Sequence, residues 1–417
     1  MSGAVIQCFE HDPLSVGGKF QEHLFNALVS FNYRHGNRFF AIGNKRIKFR
    51  NYVGVIQVGN LTVEILPKLD RRSEDKAVMQ RNLIAMLHRA GRLPLEEVGN
   101  ASLSRTNGSL FELYLDLFLR EVRQITRYGI AKRYSLVQGN ERFLRGHMMM
   151  SQHLARNTFD KSRFYVEYQH YSKNHLLNRI LKQTLRIIST MPIGAARDAR
   201  DLLTFFDDVE NTQILARDFN RIVYNRNTEC YRTAIRIAEL IISNHQPDLR
   251  NGNMSITSLL FDMNRLFELY VAHEIRRQAR EEEIRIMLQP QKVFWQSDET
   301  GVHKTIRPDI VITKNGKKFI LDTKWKLFDG ETPSDADLKQ LYAYSLQWNA
   351  DRVILVYPSS GQEFHSSTGF FSASEGIHEK RPISIWEAPL LKRDKLNANL
   401  GRDILDRLIS ESSPAIP

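Results

Sequence analysis

Cysteine is nearly absent from this chain, and no long apolar run occurs in it. Two cysteines, Cys8 and Cys230, among 417 residues are too few for a disulfide framework or a cysteine-rich zinc site, and they point to a reducing compartment. The opening, MSGAVIQCFEHDPLSVGGKF, lacks the basic-then-apolar order of a secretory signal. No segment approaches the roughly 20 apolar residues of a membrane span. These absences predict a cytoplasmic protein with no membrane association.

Several catalytic signatures are missing too. His147, His153, His170 and His175 have neither HExxH nor paired Cys/His spacing, which argues against zinc. No GxSxG elbow is present, and no convincing HNH constellation. The nearest approach to a phosphate-binding loop is SVGGKF. There Pro13 stands where the first glycine belongs, and Phe20 replaces the Ser/Thr. The chain is therefore expected to bind no nucleotide itself. Internal repeats and low-complexity tracts are also lacking.

What remains is ample core material and positive charge. Hydrophobic residues make up 42% of the chain, and 59 Lys and Arg face 47 Asp and Glu, a net of +12. That balance favours a polyanionic partner such as nucleic acid, or an acidic protein surface.

Along the chain, the first 70 residues read as strands and turns, with Gly59-Asn60 as a two-residue hairpin loop. Amphipathic helices follow in DKAVMQRNLIAMLHRAG and SLFELYLDLFLREVRQITRYGI, the second stopping at Gly129. RFYVEYQHY reads as a strand, and Asn174 to about His245 as mostly helical. The polar NHQPDLRNGN, 244–253, is the best domain boundary. A helix is expected from Ile256 through the REEE run. Strands then dominate from about Val293 to Thr323. A helix after Pro333, the strand DRVILVYP and a terminal helix complete the chain. The expected architecture is an α+β N-terminal region, β-rich at its start and then helical, joined to an α/β C-terminal domain with a mixed central sheet. The expected limits are 1–170, a helical connection 171–250, and 251–417.

The segment RPDIVITKNGKKFILDTKWKLF, 307–328, carries the chemistry. With Asn315-Gly316 as the loop, Lys314 faces Lys317, Ile312 faces Phe319 and Asp309 faces Asp322. Side chains alternate along a strand, so Lys324 shares a face with Asp322. Two facing carboxylates repel and weaken a sheet, but a cation between them reverses the sign. Two carboxylates, a backbone carbonyl and waters are the hard oxygen set that Mg²⁺ takes. A neighbouring lysine can hold water or offset charge on a phosphate. The pattern predicts phosphodiester hydrolysis.

Pro308-Asp309 and Asp322-Thr323-Lys324 resemble the PD-(D/E)XK nuclease superfamily, in which these two strands hold the metal. That resemblance implies a restriction-endonuclease-like domain, with Asp309, Asp322 and the Thr323 carbonyl as Mg²⁺ ligands, Mn²⁺ as a possible substitute, and Lys324 as a catalytic residue. It also implies a role for an acid on the preceding helix, which Glu268 fits, and for residues on the following helix facing DNA, offered by Gln340 and Tyr344.

A closer resemblance covers about residues 50 to 360. NYVGVIQVGNLTVEILPKL, LLNRILKQTL, MNRLFELYV, RPDIVI, ILDTKWK and QLYAY occur in the order seen in the McrC family, the nuclease subunits of McrBC modification-dependent restriction systems. It implies an McrB-like AAA+ GTPase ring as partner, bound through the N-terminal region, and double-stranded DNA bearing 5-methylcytosine-type modification as substrate. The basic stretch Arg120 to Arg163 is a candidate insertion into that ring. Two readings stay open: a Mg²⁺-dependent endonuclease that works only with its motor, or a non-catalytic DNA-binding scaffold that activates the motor's hydrolysis.

Overall fold

A computed structural model describes residues 4–69, 75–92, 109–246, 256–279, 284–328, 332–372 and 380–412. Most of the expected 244–253 boundary lies outside them. The chain divides into two compact units, and not into three consecutive blocks. One comprises residues 1–5, 56–62 and 108–259; the other comprises 6–55, 63–107 and 260–417. The N-terminal region is thus shared out, because its strands and first helices find their long-range partners at both ends of the sequence. No helix among the described residues is long and apolar enough to cross a membrane.

In the first unit, helix Leu110–Tyr128 opens on a reciprocal capping box between Ser109 and Glu112 and stops at Gly129, whose φ is 97°. Its apolar stripe, including Leu110, Leu113, Leu117 and Val122, is buried as its spacing predicts. Helices Ala195–Leu203 and Arg232–Asn244 pack against it, and Leu176–Ser189 packs against both of these. Just beyond the first helix, the backbone of Ala131 is fixed from three sides. Its carbonyl accepts from Asn178 Nδ2 at 3.0 Å and lies 2.9 Å from His175 Nε2, and its N–H donates to the Tyr231 hydroxyl at 2.9 Å. Asn178, quoted above for its motif, is therefore a buried structural clamp.

From that clamp the basic stretch runs into a three-stranded antiparallel sheet. Arg133–Glu141 pairs with Phe164–Ser172, which pairs in turn with His147–Met148. Gly146, at φ 69°, permits the tight return, since a Cβ there would lie 2.2 Å from the Glu167 carbonyl oxygen. Helix Met150–Asn157 lies against the sheet. Val166 and Tyr165 of this part are buried, but Leu136, Phe143, Leu144, Leu154 and Phe159 are exposed, Phe143 at 78%.

Two sequence expectations fail. Glu22–Arg34, placed among strands and turns, is a helix burying Leu24, Leu28 and Phe31 at helical spacing. Ile256–Asp262, expected as helix, is a strand, and Thr257 pairs with His245. The helix starts only where the Asp262 side chain accepts from the Asn264 N–H at 2.9 Å.

The second unit contains a six-stranded mixed sheet. Its elements are α1 (Met263–Gln278), β1 (Ile284–Leu288), β2 (Ile310–Lys314), β3 (Lys317–Thr323), α2 (Asp335–Trp348), β4 (Arg352–Ser359), β5 (His365–Phe371), β6 (Arg381–Pro389) and α3 (Leu400–Ser412). The order is β1-β2-β3-β4-β6-β5. β3–β4 and β4–β6 are parallel and the other pairs antiparallel. The central strands are apolar on both faces, as coverage by helices requires. One face, with Val311, Ile320, Val353, Leu355 and Tyr357, packs against Leu341, Tyr344 and Trp348 of α2. On α3, Glu411 accepts from Ser366 and Ser384 hydroxyls, both at 2.6 Å, and from the Trp386 indole at 3.1 Å. The other end of α3 meets α1 so closely that a Cβ on Gly401 would sit 2.1 Å from the Glu274 carbonyl oxygen.

Candidate active site

The hairpin closes as its sequence dictates. Asn315 and Gly316 have φ of 50° and 76°, the positive values a two-residue turn of this kind needs. Lys314 pairs with Lys317, Ile312 with Phe319, and Ile310 with Leu321. The ladder stops there, because Asp309 lies in a bend just before β2. Its carboxylate takes over as acceptor, receiving the Thr323 N–H at 2.7 Å and the Thr323 hydroxyl at 2.8 Å.

Asp322 is only 2% exposed. Lys324 Nζ lies 2.6 Å from Asp322 Oδ2, an ion pair without hydrogen-bond angles. The ammonium also donates to Gln340 Oε1 at 3.1 Å and stands 3.5 Å from Asp337 Oδ1. Behind the strand, Trp325 points the other way, donates to buried Glu10 at 2.7 Å and packs on Phe267 of α1. That anchor fixes the strand end from which Lys324 extends.

Burial and the neighbouring Asp309 charge push the Asp322 carboxyl up to about 6. Asp309 is raised as well by burial, against the bonds from Thr323 and the charge of Lys324. Burial works against the Lys324 charge, yet the carboxylates of Asp322, Asp337 and Asp309 outweigh it and raise its pKa. Glu268 is half-buried on α1 and accepts from Gln289 Nε2 at 2.5 Å. Burial and the Asp309 charge push it to about 7.

Of the groups the sequence marked, Asp309, Asp322 and Lys324 thus stand within electrostatic reach of one another, and Glu268 is linked to them through Asp309. Gln340 joins them through Lys324. Tyr344 has a different place: it is 3% exposed within the α2 core, and its hydroxyl accepts from Gln340 Nε2 at 2.7 Å and donates to the Arg307 carbonyl at 2.9 Å. It positions its neighbours, and it lines a groove together with Arg307, Lys339 and Gln340. Tyr342 on the same helix is half-buried beside Phe371.

Sequence reasoning missed two members. Asp337 holds Lys326 at 2.6 Å and sits beside Lys324. Its only signal was its place in the first turn of a helix capped by Ser334. Gln289 joins Glu268 to Asp309, since its N–H donates to the Asp309 carbonyl at 2.9 Å. It does so at a φ of 48°, a cost that a non-glycine residue bears only when its surroundings impose it. No sequence signal marks it.

The donors suit a hard divalent cation: the Asp309 charge lies close enough to raise the proton affinity of Asp322, and the buried Asp322 Oδ2 has the Lys324 ammonium as its partner. Among the described residues no three His, Cys, Asp or Glu side chains form a metal-binding group, so carbonyl and water oxygens would complete the shell.

The family described as McrBC 5-methylcytosine restriction system component matches residues 47–358. The chain belongs to that family. No curated protein matches the sequence. Among solved structures, the McrBC fold is similar to a chain of the half-complex from the tetradecameric assembly of Thermococcus gammatolerans McrB AAA+ hexamers with bound McrC. The TM-score is 0.69 at 21% identity, over 97% of this chain and 100% of that one. A chain of the Thermococcus gammatolerans McrBC complex matches with a TM-score of 0.52 at 22% identity, over 67% of this chain and 89% of that one. The SVGGKF segment forms a closed turn, in which Gly17 and Phe20 exchange backbone hydrogen bonds of 2.9 Å each.

Proposed function

We propose that this McrBC component is the Mg²⁺-dependent endonuclease subunit of its system, with a PD-(D/E)XK site in the second unit. It would cleave DNA carrying 5-methylcytosine-type modification while bound to an McrB-like AAA+ GTPase ring. The observation that carries the reading is the Asp309–Asp322 pair beside Lys324, at the end of a hairpin whose register follows from Asn315-Gly316. The Thr323 bonds and the Lys324 charge offset only part of what burial and repulsion cost such a pair, and a bound cation would offset more.

Asp309, Asp322 and the Thr323 carbonyl would hold the cation, which when bound would lower the pKa of water and offset charge on the phosphate. Lys324 is held cationic, so it suits the charge that develops on the phosphate oxygens and is unsuited to taking a proton. Glu268, near neutrality, can accept a proton from water. Gln289 fixes its carboxyl, and Gln340 and Asp337 fix the Lys324 ammonium.

The exposed apolar and basic sheet of the first unit, Arg133 to Ser172, is the surface we assign to the ring. Its outward Phe143, Leu144 and Phe159 would be hidden by a partner. The relatives' assembly with McrB supports this.

One observation favours the scaffold reading: no cluster of three ligating side chains exists among the described residues. The two readings part in a cleavage assay with partner ring, Mg²⁺, GTP and modified duplex. Asp322→Ala and Lys324→Ala should each lower cutting by at least about 10³-fold and leave the partner's GTP hydrolysis stimulated. Normal cutting by both variants would reject the site. Absence of cutting by the wild-type complex would establish the scaffold.

A further inference from the structure

Between β1 and β2 the chain leaves the sheet as a two-stranded ribbon, Lys292–Gln296 paired with His303–Ile306. Both strands are almost wholly exposed, including two large aromatics, Phe294 at 52% and Trp295 at 51%. A bulge falls between Val293 and Trp295 and leaves Phe294 unpaired, a device that re-aims a side chain. Phe294 accordingly lines a groove of about 670 Å³ together with Arg307, Lys339 and Gln340.

The ribbon is tied to the candidate active site at both roots. On the entering side, Gln289 holds Glu268 and the Asp309 carbonyl. On the returning side, the Arg307 carbonyl accepts from Tyr344, whose hydroxyl is bonded to Gln340, the partner of Lys324. Lys292 is committed to holding the ribbon against α2, donating to the Gln347 carbonyl at 2.5 Å with its ammonium 5.1 Å from the Trp348 ring centre. Charge is graded along the ribbon. Asp298 and Glu299 sit at the tip, Lys304 is exposed on the returning strand opposite Trp295, and Arg307 and Lys339 are exposed at the root, where they line the groove.

We infer that the root of this ribbon and the adjoining groove seat the DNA duplex, with Lys304, Arg307 and Lys339 on its phosphates and Phe294 and Trp295 against its sugars and bases. The inference rests on the nuclease reading above. Two features select a nucleic acid over a protein partner: the positive root is continuous with the acid-and-lysine site, and aromatics are interleaved with the cations, so that apolar sugar faces in a groove and phosphates are met together. The acidic tip keeps the far end of the ribbon off the duplex, so contact concentrates next to the residues that would cut.

The test is anisotropy of a fluorescent modified duplex with the full chain in EDTA, across a salt series. Wild type should bind at low salt. Phe294→Ala with Trp295→Ala should weaken binding about tenfold with the salt slope unchanged. Lys304→Ala with Lys339→Ala should weaken it and reduce the slope by about two. All four side chains are exposed, so both double variants should melt like wild type. Asp322→Asn should bind as wild type while failing to cut with the partner ring. Loss of cutting in that variant alone therefore bears on the catalytic reading, and loss of binding in the ribbon variants bears on this one. Wild-type affinity in both ribbon variants would overturn the inference, as would no binding by wild type or tighter binding of single strands. So would loss of ring association with duplex binding intact.

Discussion

At the end of the β2–β3 hairpin the Asp322 carboxylate is buried, with Asp309 and the Lys324 ammonium half-buried beside it, while on the sheet Arg133 to Ser172 phenylalanines and leucines stand in solvent. Each region inverts the ordinary partition of polar and apolar side chains. The inversions differ in kind. Buried charge costs the isolated chain stability and is relieved by a small cation. Exposed apolar surface costs little in the isolated chain but favours association, and only a macromolecule covers it. The contrast teaches where to look for each kind of ligand.

The largest effect should come from breaking the apolar side of the comparison. Phe143→Asp with Leu144→Asp should abolish co-purification with the partner ring, and with it DNA cutting. The melting temperature should stay near wild type, because neither side chain is buried in the free chain. A large drop in melting temperature would show that this surface serves the fold itself.

The buried-charge side predicts a gain. Asp322 and Glu268 are both raised, to about 6 and about 7. A raised carboxyl favours folding while protonated. That contribution is complete below the ordinary carboxylate range, near pH ~4, and is lost as pH rises through the folded values. Metal-free protein should therefore lose stability from about pH 4 to pH 7 and level off above, and Asp322→Asn should restore on the order of 1 kcal/mol at pH 8. Urea melts in EDTA measure this. Added Mg²⁺ should stabilise wild type more than the variant. A flat pH dependence in wild type would contradict the assignment.

The smallest effect concerns support of the site. Tyr344→Phe removes the hydroxyl that joins Gln340 to the Arg307 carbonyl. We expect about 1 kcal/mol of stability lost and a several-fold drop in cutting rate, with duplex affinity nearly unchanged. Equal losses in binding and rate would show that Tyr344 contacts the substrate directly.

Legibility in the sequence followed the range of the interactions. Asn315-Gly316 set the register by local backbone preference, so Asp309, Asp322 and Lys324 could be placed by counting outward. Capping and stop signals at Ser109, Gly129 and Asp262 are equally local, though Asp262 was overlooked because apolar residues continue on both sides of it. The division of the N-terminal region between two units was illegible, because it depends on pairing across some 200 residues. Gln289 was illegible for another reason. Its value lies in a backbone angle that its residue type disfavours, imposed by bonds to Glu268 and Asp309 that no spacing announces.

Gly401 has one more consequence. It lets α3 lie against the backbone of α1 at Glu274, on the same helix that carries Glu268. Its hydrogen atom is the thinnest shim the genetic code offers. Anything thicker would tilt one helix off the other, and the tilt would be felt at both ends: by Glu411, which tethers the outer strands, and by Glu268, whose reach to Gln289 leaves no slack. A residue with no side chain, remote from the chemistry, thus gauges how far the candidate acid stands from its site.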